Sequence, residues 1–461
     1  MIVFGLDIGT TSISGVALEL PGGKLLRSVT RPSGAWLHSD GVRAEQDPDR
    51  IMRTVRDIVQ EFTAMYPNAA GIGLTGQMHG VLYVDRSGRA VSPLYTWQDR
   101  RGLLPANDRE TYVEWLERET GYPLAAGFGL VTHAVFARNG EVPDQAAALC
   151  TIADYAALRI GGGRVPVMDT SMAASLGFFD VEHGRFDAPS LNGVGLGERM
   201  LPRVVSSATQ VGATEHGIPV FHAIGDNQAS FLGSAKDPAH CLLINIGTGG
   251  QTSAYSGRYC EVEGLETRPF PGGGYLLVGA SLAGGKAYAM LEAFFRSVLE
   301  SIGEVESVPP LYGKMERLLD RFRPSAHPLR VCTRFYGTRK QPELTGSIEG
   351  IGPDNFTPAH LVQGFLEGMA EELFGYYALL PDSIQDRFRQ LVGSGNAIRH
   401  NRNLRRICEE RFGMPMSLPL IAEEASVGAA LHAAVGLGIA QDYTAAGQFL
   451  KYEDDGSSAE T

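Results

Sequence analysis

Apolar and polar positions alternate along the first thirty residues in a way that predicts strands, with one interruption. The stretch FGLDIGTTSISGVALEL, residues 4–20, runs as a buried strand, breaks into Asp7, Gly9, Thr10, Thr11 and Ser12, and then resumes. ISGVALEL and KLLRSVTR read as further strands joined by the turn Pro21–Gly23, so three early strands form a meander. Asp47 then has the character of an N-cap with Pro48 at the first helical position, and Ile51, Val55, Ile58, Val59 and Phe62 fall on one helical face. IGLT and VLYVD follow as short strands, with a turn at Asp85–Gly88, which gives βββαβ.

The second half repeats this pattern. LLINIGTGGQTSAY, residues 242–255, again places a Gly/Thr turn between two strands, and the triplet Ile8-Gly9-Thr10 returns as Ile246-Gly247-Thr248. Pro358 opens a helix with Leu361, Phe365, Met369 and Leu373 on one face. FRQLVGSGNA reads as a strand and a glycine-rich loop, followed by a helical pattern through Leu404 and Ile407. The run Gly217–Ser230 is the best boundary between the halves, which sets domains at 1–222 and 223–452; the polar tail 453–461 is expected to be disordered.

Composition narrows what such a chain does. With 461 residues, 44% of them hydrophobic, it can build two cores. Forty basic against 52 acidic residues, a net charge of −12 and no Lys/Arg block argue against a nucleic-acid partner. The five scattered cysteines are expected to be reduced thiols, and none is paired at metal-ligand spacing. MIVFGLD carries no leader-like features, and apolar runs stay shorter than the roughly 18 residues of a membrane span, so a soluble cytoplasmic protein without a membrane partner is expected.

The interruption after Ile8 suggests chemistry. A tight turn of Gly9, Thr10, Thr11 and Ser12 directs N–H and hydroxyl groups into one small space, as an anion cradle does. Asp7 at the end of a buried strand calls for a cation opposite it, and Mg²⁺ accompanying a phosphate is the natural candidate. From these residues alone, a hairpin whose aspartate caps its own turn is an equal reading. The second copy favours the cradle, although Asn245 stands where the first has Asp7. GIGLTG at 71–76 matches a dinucleotide-binding pattern, but QMHGVLYV follows it where a helix is required. ASLAGGKA at 280–287 fails two defining P-loop positions, Ala280 and Ala287.

GLDIGTTS, INIGTGG and LVGSGNA, in this order and over this length, resemble the FGGY family of carbohydrate kinases. The resemblance implies an α/β fold of two actin-like (ribonuclease H-like) ATPase domains with an interdomain cleft. It implies ATP and Mg²⁺, with Asp7 at the metal. Thr10, Thr11, Ser12, Gly247, Thr248, Gly284, Gly285, Gly395 and Asn396 would lie at the nucleotide. GQMHG implies sugar contacts from Gln77, Met78 and His79, though a lone loop histidine is by itself more often structural. Trp97, in TWQDRR, would lend its face to the sugar, with core packing an equal reading. Asp226, in AIGDNQAS, reads locally as a helix-capping aspartate. The resemblance makes it the base that accepts the proton of the attacking hydroxyl, with Asn227 touching the sugar.

AAGFGLVTHAVFARNG, LCTIADYAALRI and DTSMAASLGFFD resemble family members acting on a seven-carbon ketose at its terminal hydroxyl, whereas GQMHG and Asp226-Asn227 also resemble those acting on five-carbon ketoses. YGTRKQPELTGSIEG keeps the family's C-terminal signature only in part. The expected partners are a small-molecule sugar and ATP, and a homodimer is compatible with the resemblance. A nucleotide-gated regulator without transfer is the contrasting expectation, against which a carboxylate at 226 and GQMHG argue.

Overall fold

The computed structural model describes residues 1–303, 307–322, 326–338, 341 and 343–453. The tail expected to be disordered therefore lies outside the described residues, Glu453 excepted, as does part of the C-terminal signature.

The opening meander forms as the alternation predicts. β1 (Ile2–Ile8), β2 (Ser12–Glu19) and β3 (Lys24–Pro32) pair antiparallel in succession. Short strands Trp36–Ser39 and Ala44–Gln46, too brief to show a period, precede α1 (Pro48–Met65). Asp47 caps α1 by accepting from the Asp49 and Arg50 N–H groups, and the apolar stripe of α1 is buried. β4 (Gly71–Gly76) and β6 (Pro219–Gly225) lie parallel to β1, and β5 (Gln210–Ala213) closes the edge, in the order β5-β6-β4-β1-β2-β3. VLYVD forms Leu82–Val84 but leaves the main sheet to pair with Ala148–Cys150.

β6 is one continuous buried strand from 219 to 225, so the boundary drawn between 222 and 223 would cut a hydrogen-bonded ladder. The first half extends through α3 (Asp226–Leu232), and the chain passes to the second half before β7 (Cys241–Ile246).

The second sheet repeats the first. β8 (Gly250–Ser256) and β10 (Tyr275–Ser281) continue antiparallel from β7, with β9 (Glu266–Pro269) at the edge. β11 (Gln390–Ser394) and β12 (Met416–Ser417) run parallel on the other side, giving the order β9-β10-β8-β7-β11-β12. β1 thus corresponds to β7, β2 to β8 and β4 to β11, which accounts for the repeated Ile-Gly-Thr. α4 (Gly284–Ile302) and α5 (Pro358–Ala378) pack on this sheet, and Leu361, Phe365, Met369 and Leu373 are buried as the spacing predicts. The pattern read as one helix after Asn396 is divided. A single turn, Asn396–His400, ends at Asn401, whose side chain accepts from the Leu404 N–H and starts α6 (Arg402–Phe412).

α7 (Glu424–Gly436) returns to the first half and lies on β1, β4 and α3. Its Ala/Gly-rich sequence is buried nearly all round, and it approaches so closely that a Cβ at Gly5 would stand 1.9 Å from Ser426 O and one at Gly73 1.8 Å from Ala429 O. Around it a third core joins Val3, Val16 and Ile224 of the first sheet to Leu243, Val278 and Val392 of the second. No helix among the described residues is long and apolar enough to cross a membrane.

Candidate active site

β1, β4 and β6 are parallel neighbours, so their carboxyl ends, and the loops that leave them, emerge at one edge of the sheet. Residue Asp7 pairs with Thr75, which pairs with Ile224; Ile8, Gly76 and Gly225 form the next row. Asp7, the loop Gln77–Gly80 and Asp226 are thereby delivered to one end of the fold by register alone. At about 4.8 Å per strand, the two carboxylates start from backbones roughly 10 Å apart. Burial, reinforced by the charge of Asp226, raises Asp7 from the ordinary carboxylate range to about 7. Burial also raises Asp226, and the positive charge of Arg268 opposes that rise. Asp226 occupies the first helical residue of α3 after Gly225 and so caps nothing; its carboxylate sits at the positive end of the helix. Beside it, Asn227 Oδ1 is buried without a hydrogen-bond partner among the described residues.

The four residues Thr10, Gln77, Gln46 and Trp97 form one network. Thr10 Oγ1 donates to Gln77 Oε1 (3.3 Å) and accepts from Trp97 Nε1 (3.0 Å), and Gln77 Nε2 donates to Gln46 Oε1 (3.0 Å). Gln46 Nε2 in turn donates to Thr10 O (2.7 Å). In this arrangement the Thr10 hydroxyl directs its proton to Gln77. Gln77 is 3% exposed, with both ends of its amide bonded within the protein. Met78 is 6% exposed and packs against Gly225, where a Cβ would lie 2.9 Å from its Sδ. Met78 therefore supports the base of α3 and presents no polar group to a sugar.

His79 is the member of the motif that retains appreciable exposure. It holds φ 71°, a strained conformation for a residue with a Cβ. Ser175 pins it twice, accepting from the His79 N–H through Oγ (3.0 Å) and from Nδ1–H through O (2.8 Å). The ring stacks on Phe128 at 4.9 Å. The Trp97 ring is 47% exposed, which excludes plain core packing. Gln46 and Arg268 went unremarked in the sequence, where neither belongs to a motif.

The second half carries the corresponding Gly/Thr turn between β7 and β8. Asn245, the counterpart of Asp7, donates from Nδ2 to Ser394 Oγ (2.8 Å) and ties β7 to β11 where each gives way to its loop. Gly285 N donates to Gly247 O (3.0 Å) and Lys286 N to Thr248 O (3.1 Å), fastening α4 to the turn. Gly284 lets that happen, since a Cβ there would lie 2.0 Å from the Gly249 carbonyl carbon. Gly395 at φ 84° passes so close that a Cβ would meet Ile246 O at 2.6 Å. Gly247, Thr248, Gly285, Lys286, Asn396 and Tyr288 line a single cavity of about 740 Å³, so the second turn, the start of α4 and the last loop open into one space. Gly284 and Gly395 shape this cavity from behind. Thr11 and Ser12 lie on the first turn, with Thr11 exposed.

Two sheets of one topology, each with a Gly/Thr turn at the corresponding edge, define a two-domain ATPase of the actin-like class. Models of the N-terminal and the C-terminal domain of the FGGY family of carbohydrate kinases match residues 2–237 and 242–437. The chain belongs to that family, and it is a carbohydrate kinase. It is similar to the sedoheptulokinase of Homo sapiens, 27% identical over 473 residues that cover 93% of this chain and 96% of the other. The glycerol kinase of Methylibium petroleiphilum is 27% identical over 476 residues, covering 95% and 91%. Among solved structures, xylulose kinase from Rhodospirillum rubrum superposes with a TM-score of 0.83 at 23% identity, covering 98% of this chain and 93% of the other, a likeness of fold.

Proposed function

We propose that the chain transfers the γ-phosphoryl group of ATP to the terminal hydroxyl of a ketose, and that this ketose is the seven-carbon sedoheptulose. The observation that carries the reading is the pair Asp226-Asn227: a carboxylate raised by burial beside an amide oxygen, Asn227 Oδ1, that lacks a donor. A sugar entering there supplies hydroxyl protons to both, one for the base and one for the orphaned oxygen. The choice of a heptulose rests on the inter-motif segments and on the human and mouse relatives named sedoheptulokinase, each 27% identical.

Transfer follows from the groups present. Asp226 accepts the proton as the sugar oxygen forms its bond to phosphorus and the bond to the ADP oxygen breaks. The nucleotide lies between the turn Gly9–Ser12 and the turn Gly247–Gly249, whose N–H groups offset charge on the phosphate oxygens. Gly395 and Asn396 hold the adenosine, and the Trp97 ring covers the sugar's C–H face. The donor set suits Mg²⁺, a hard cation that takes carboxylate and phosphate oxygens and keeps several waters, and Asp7 with its raised pKa is the residue that would hold it. When bound, such an ion offsets charge on the phosphate oxygens. All five cysteines are unpaired, which supports a reducing, cytoplasmic setting.

The test is ADP release by the purified protein with ATP, Mg²⁺ and a panel of ketoses. A kcat/KM for sedoheptulose above that for xylulose by about tenfold or more supports the reading, a ratio that pocket fit can supply. Preference for xylulose would transfer the assignment to the five-carbon ketoses.

A further inference from the structure

The Asp226 carboxylate accepts no side-chain hydrogen bond among the described residues; the group bonded to it is the Asn227 N–H. Its aim is therefore set by the backbone at the junction of β6 and α3. That junction is anchored from both halves of the molecule. From the second half, Pro269 O accepts from Gln228 Nε2 (2.9 Å). From the first half, α2 (Thr170–Ala174) reaches under the turn, and Gly225 N–H donates to Ser171 Oγ (2.9 Å). Ser171 is 1% exposed, and its own O–H donates to Asp169 Oδ1 at 2.5 Å. The same Asp169 oxygen accepts from the Ser171 N–H (2.8 Å), so the rotamer of the serine is held and its lone pair is aimed at Gly225.

β6 loses its partner β5 before this point, the pairing ending at Phe221, so the Gly225 N–H has no strand on that side to bond to. The backbone torsions at Gly225, φ −61° and ψ 145°, are open to any residue. Glycine is required there by space, because a Cβ would lie 2.4 Å from Gln228 Oε1 and 2.9 Å from Met78 Sδ. The junction is thus packed tightly above by Met78 and Gln228 and bonded below by Ser171.

We infer that Ser171, oriented by Asp169, is a positioning residue for the proton-accepting carboxylate of Asp226, acting through the Gly225 N–H. This rests on the proposed role of Asp226. DTSMAAS has a place in the chemistry on this account: Asp169 caps α2 and, through the serine two residues on, holds the first residue of α3 in line.

Ser171→Thr and Ser171→Val add the same bulk and differ in the hydroxyl, so their comparison isolates the bond to Gly225. Ser171→Ala removes the hydroxyl and adds nothing. The expected result is a kcat lower by about tenfold or more in the Val and Ala variants, with Thr within about threefold of the wild type and KM for ATP and ketose nearly unchanged, because misplacement of a general base acts on the transition state. A serine that only stabilises the fold would lower the melting temperature and leave kcat per folded molecule alone. Equal kcat in the Thr and Val variants, or an Ala variant within about twofold of wild type, overturns the inference; that threshold lies well below the roughly 10²- to 10⁴-fold that positioned proton acceptors contribute. If neither bulkier variant folds, the Ala variant decides. A wild type that turns over no ketose refutes the proposed function itself, and with it the role of Ser171; that failure appears in the wild-type arm and is distinct from one confined to the variants.

Discussion

Asp7 is the penultimate residue of β1 and Asp226 follows β6, two parallel strands separated only by β4, and the charge of Asp226 helps hold Asp7 at about 7. Two carboxylates so disposed repel each other unless a cation or a proton stands between them. The sheet register creates this tension, and the proposed chemistry uses it.

Asp226→Asn keeps the shape of the site and removes the proton acceptor. The expected outcome is a kcat lower by about 10²- to 10⁴-fold with ATP affinity retained. Steady-state ADP release and calorimetric ATP binding check the two halves of the statement.

Arg268 opposes the rise in the pKa of Asp226. Arg268→Gln removes that opposition, so the carboxylate takes up its proton at higher pH. The acidic limb of the kcat/KM profile is expected to move upward in pH, and a limb that stays in place would show that Arg268 does not act on the base.

The carboxyl of Asp7, raised from 3.8 to about 7, holds a proton in the folded chain across a range where the unfolded chain has lost it. Its contribution to stability is fully present below 3.8 and is lost as pH rises through about 7. Without divalent cations, the melting temperature measured against Asp7→Asn is expected to fall between pH 4 and 7. Mg²⁺ competes with that proton, so its affinity in the presence of nucleotide, read by calorimetry, is expected to tighten as pH rises from 6 to 8.

Gly395→Ala places a Cβ 2.6 Å from Ile246 O at a φ of 84° and a ψ of 155°, a region reserved for glycine. The strain, about 1–3 kcal/mol, falls on the loop beside the cavity proposed to hold the nucleotide. ATP affinity is expected to drop by about tenfold, the equivalent of 1.4 kcal/mol. Calorimetric titration with a non-hydrolysable ATP analogue measures it.

Trp97→Ala removes an exposed side chain, and Trp97→Phe removes the donor to Thr10 while keeping a smaller aromatic face. Loss of the ring is expected to raise KM for the ketose by about three- to tenfold with little change in kcat, whereas Phe retains most of the affinity. Equal KM values in both variants and the wild type would remove Trp97 from the sugar site.

Much of the scaffold was legible along the chain. The meander, α1 with its Asp47 cap, α5 with its buried face, and the doubled Ile-Gly-Thr turn all follow from periods of two and 3.6 residues and from turn chemistry, which are local. What was not legible shares a cause. The family resemblance of GQMHG says nothing of the partners of Gln77, and Gln46 and Thr10, distant in sequence, take up its amide. The boundary between 222 and 223 falls inside the run Gly217–Ser230, and only pairing with β4 shows that the strand continues through it to Gly225. Gln46, Arg268 and Ser171 lie outside any chemical motif, and each matters through a partner far along the chain.

The order of residues alone determined the strands, the two Gly/Thr turns and the presence of a carboxylate at 226, because backbone preference and side-chain period act over a few residues. Which polar groups are spent on one another, and which face the cleft, was decided by the tertiary structure. A hydroxyl or an amide has a fixed number of protons and lone pairs, and whether they are available to a ligand depends on neighbours that only folding supplies.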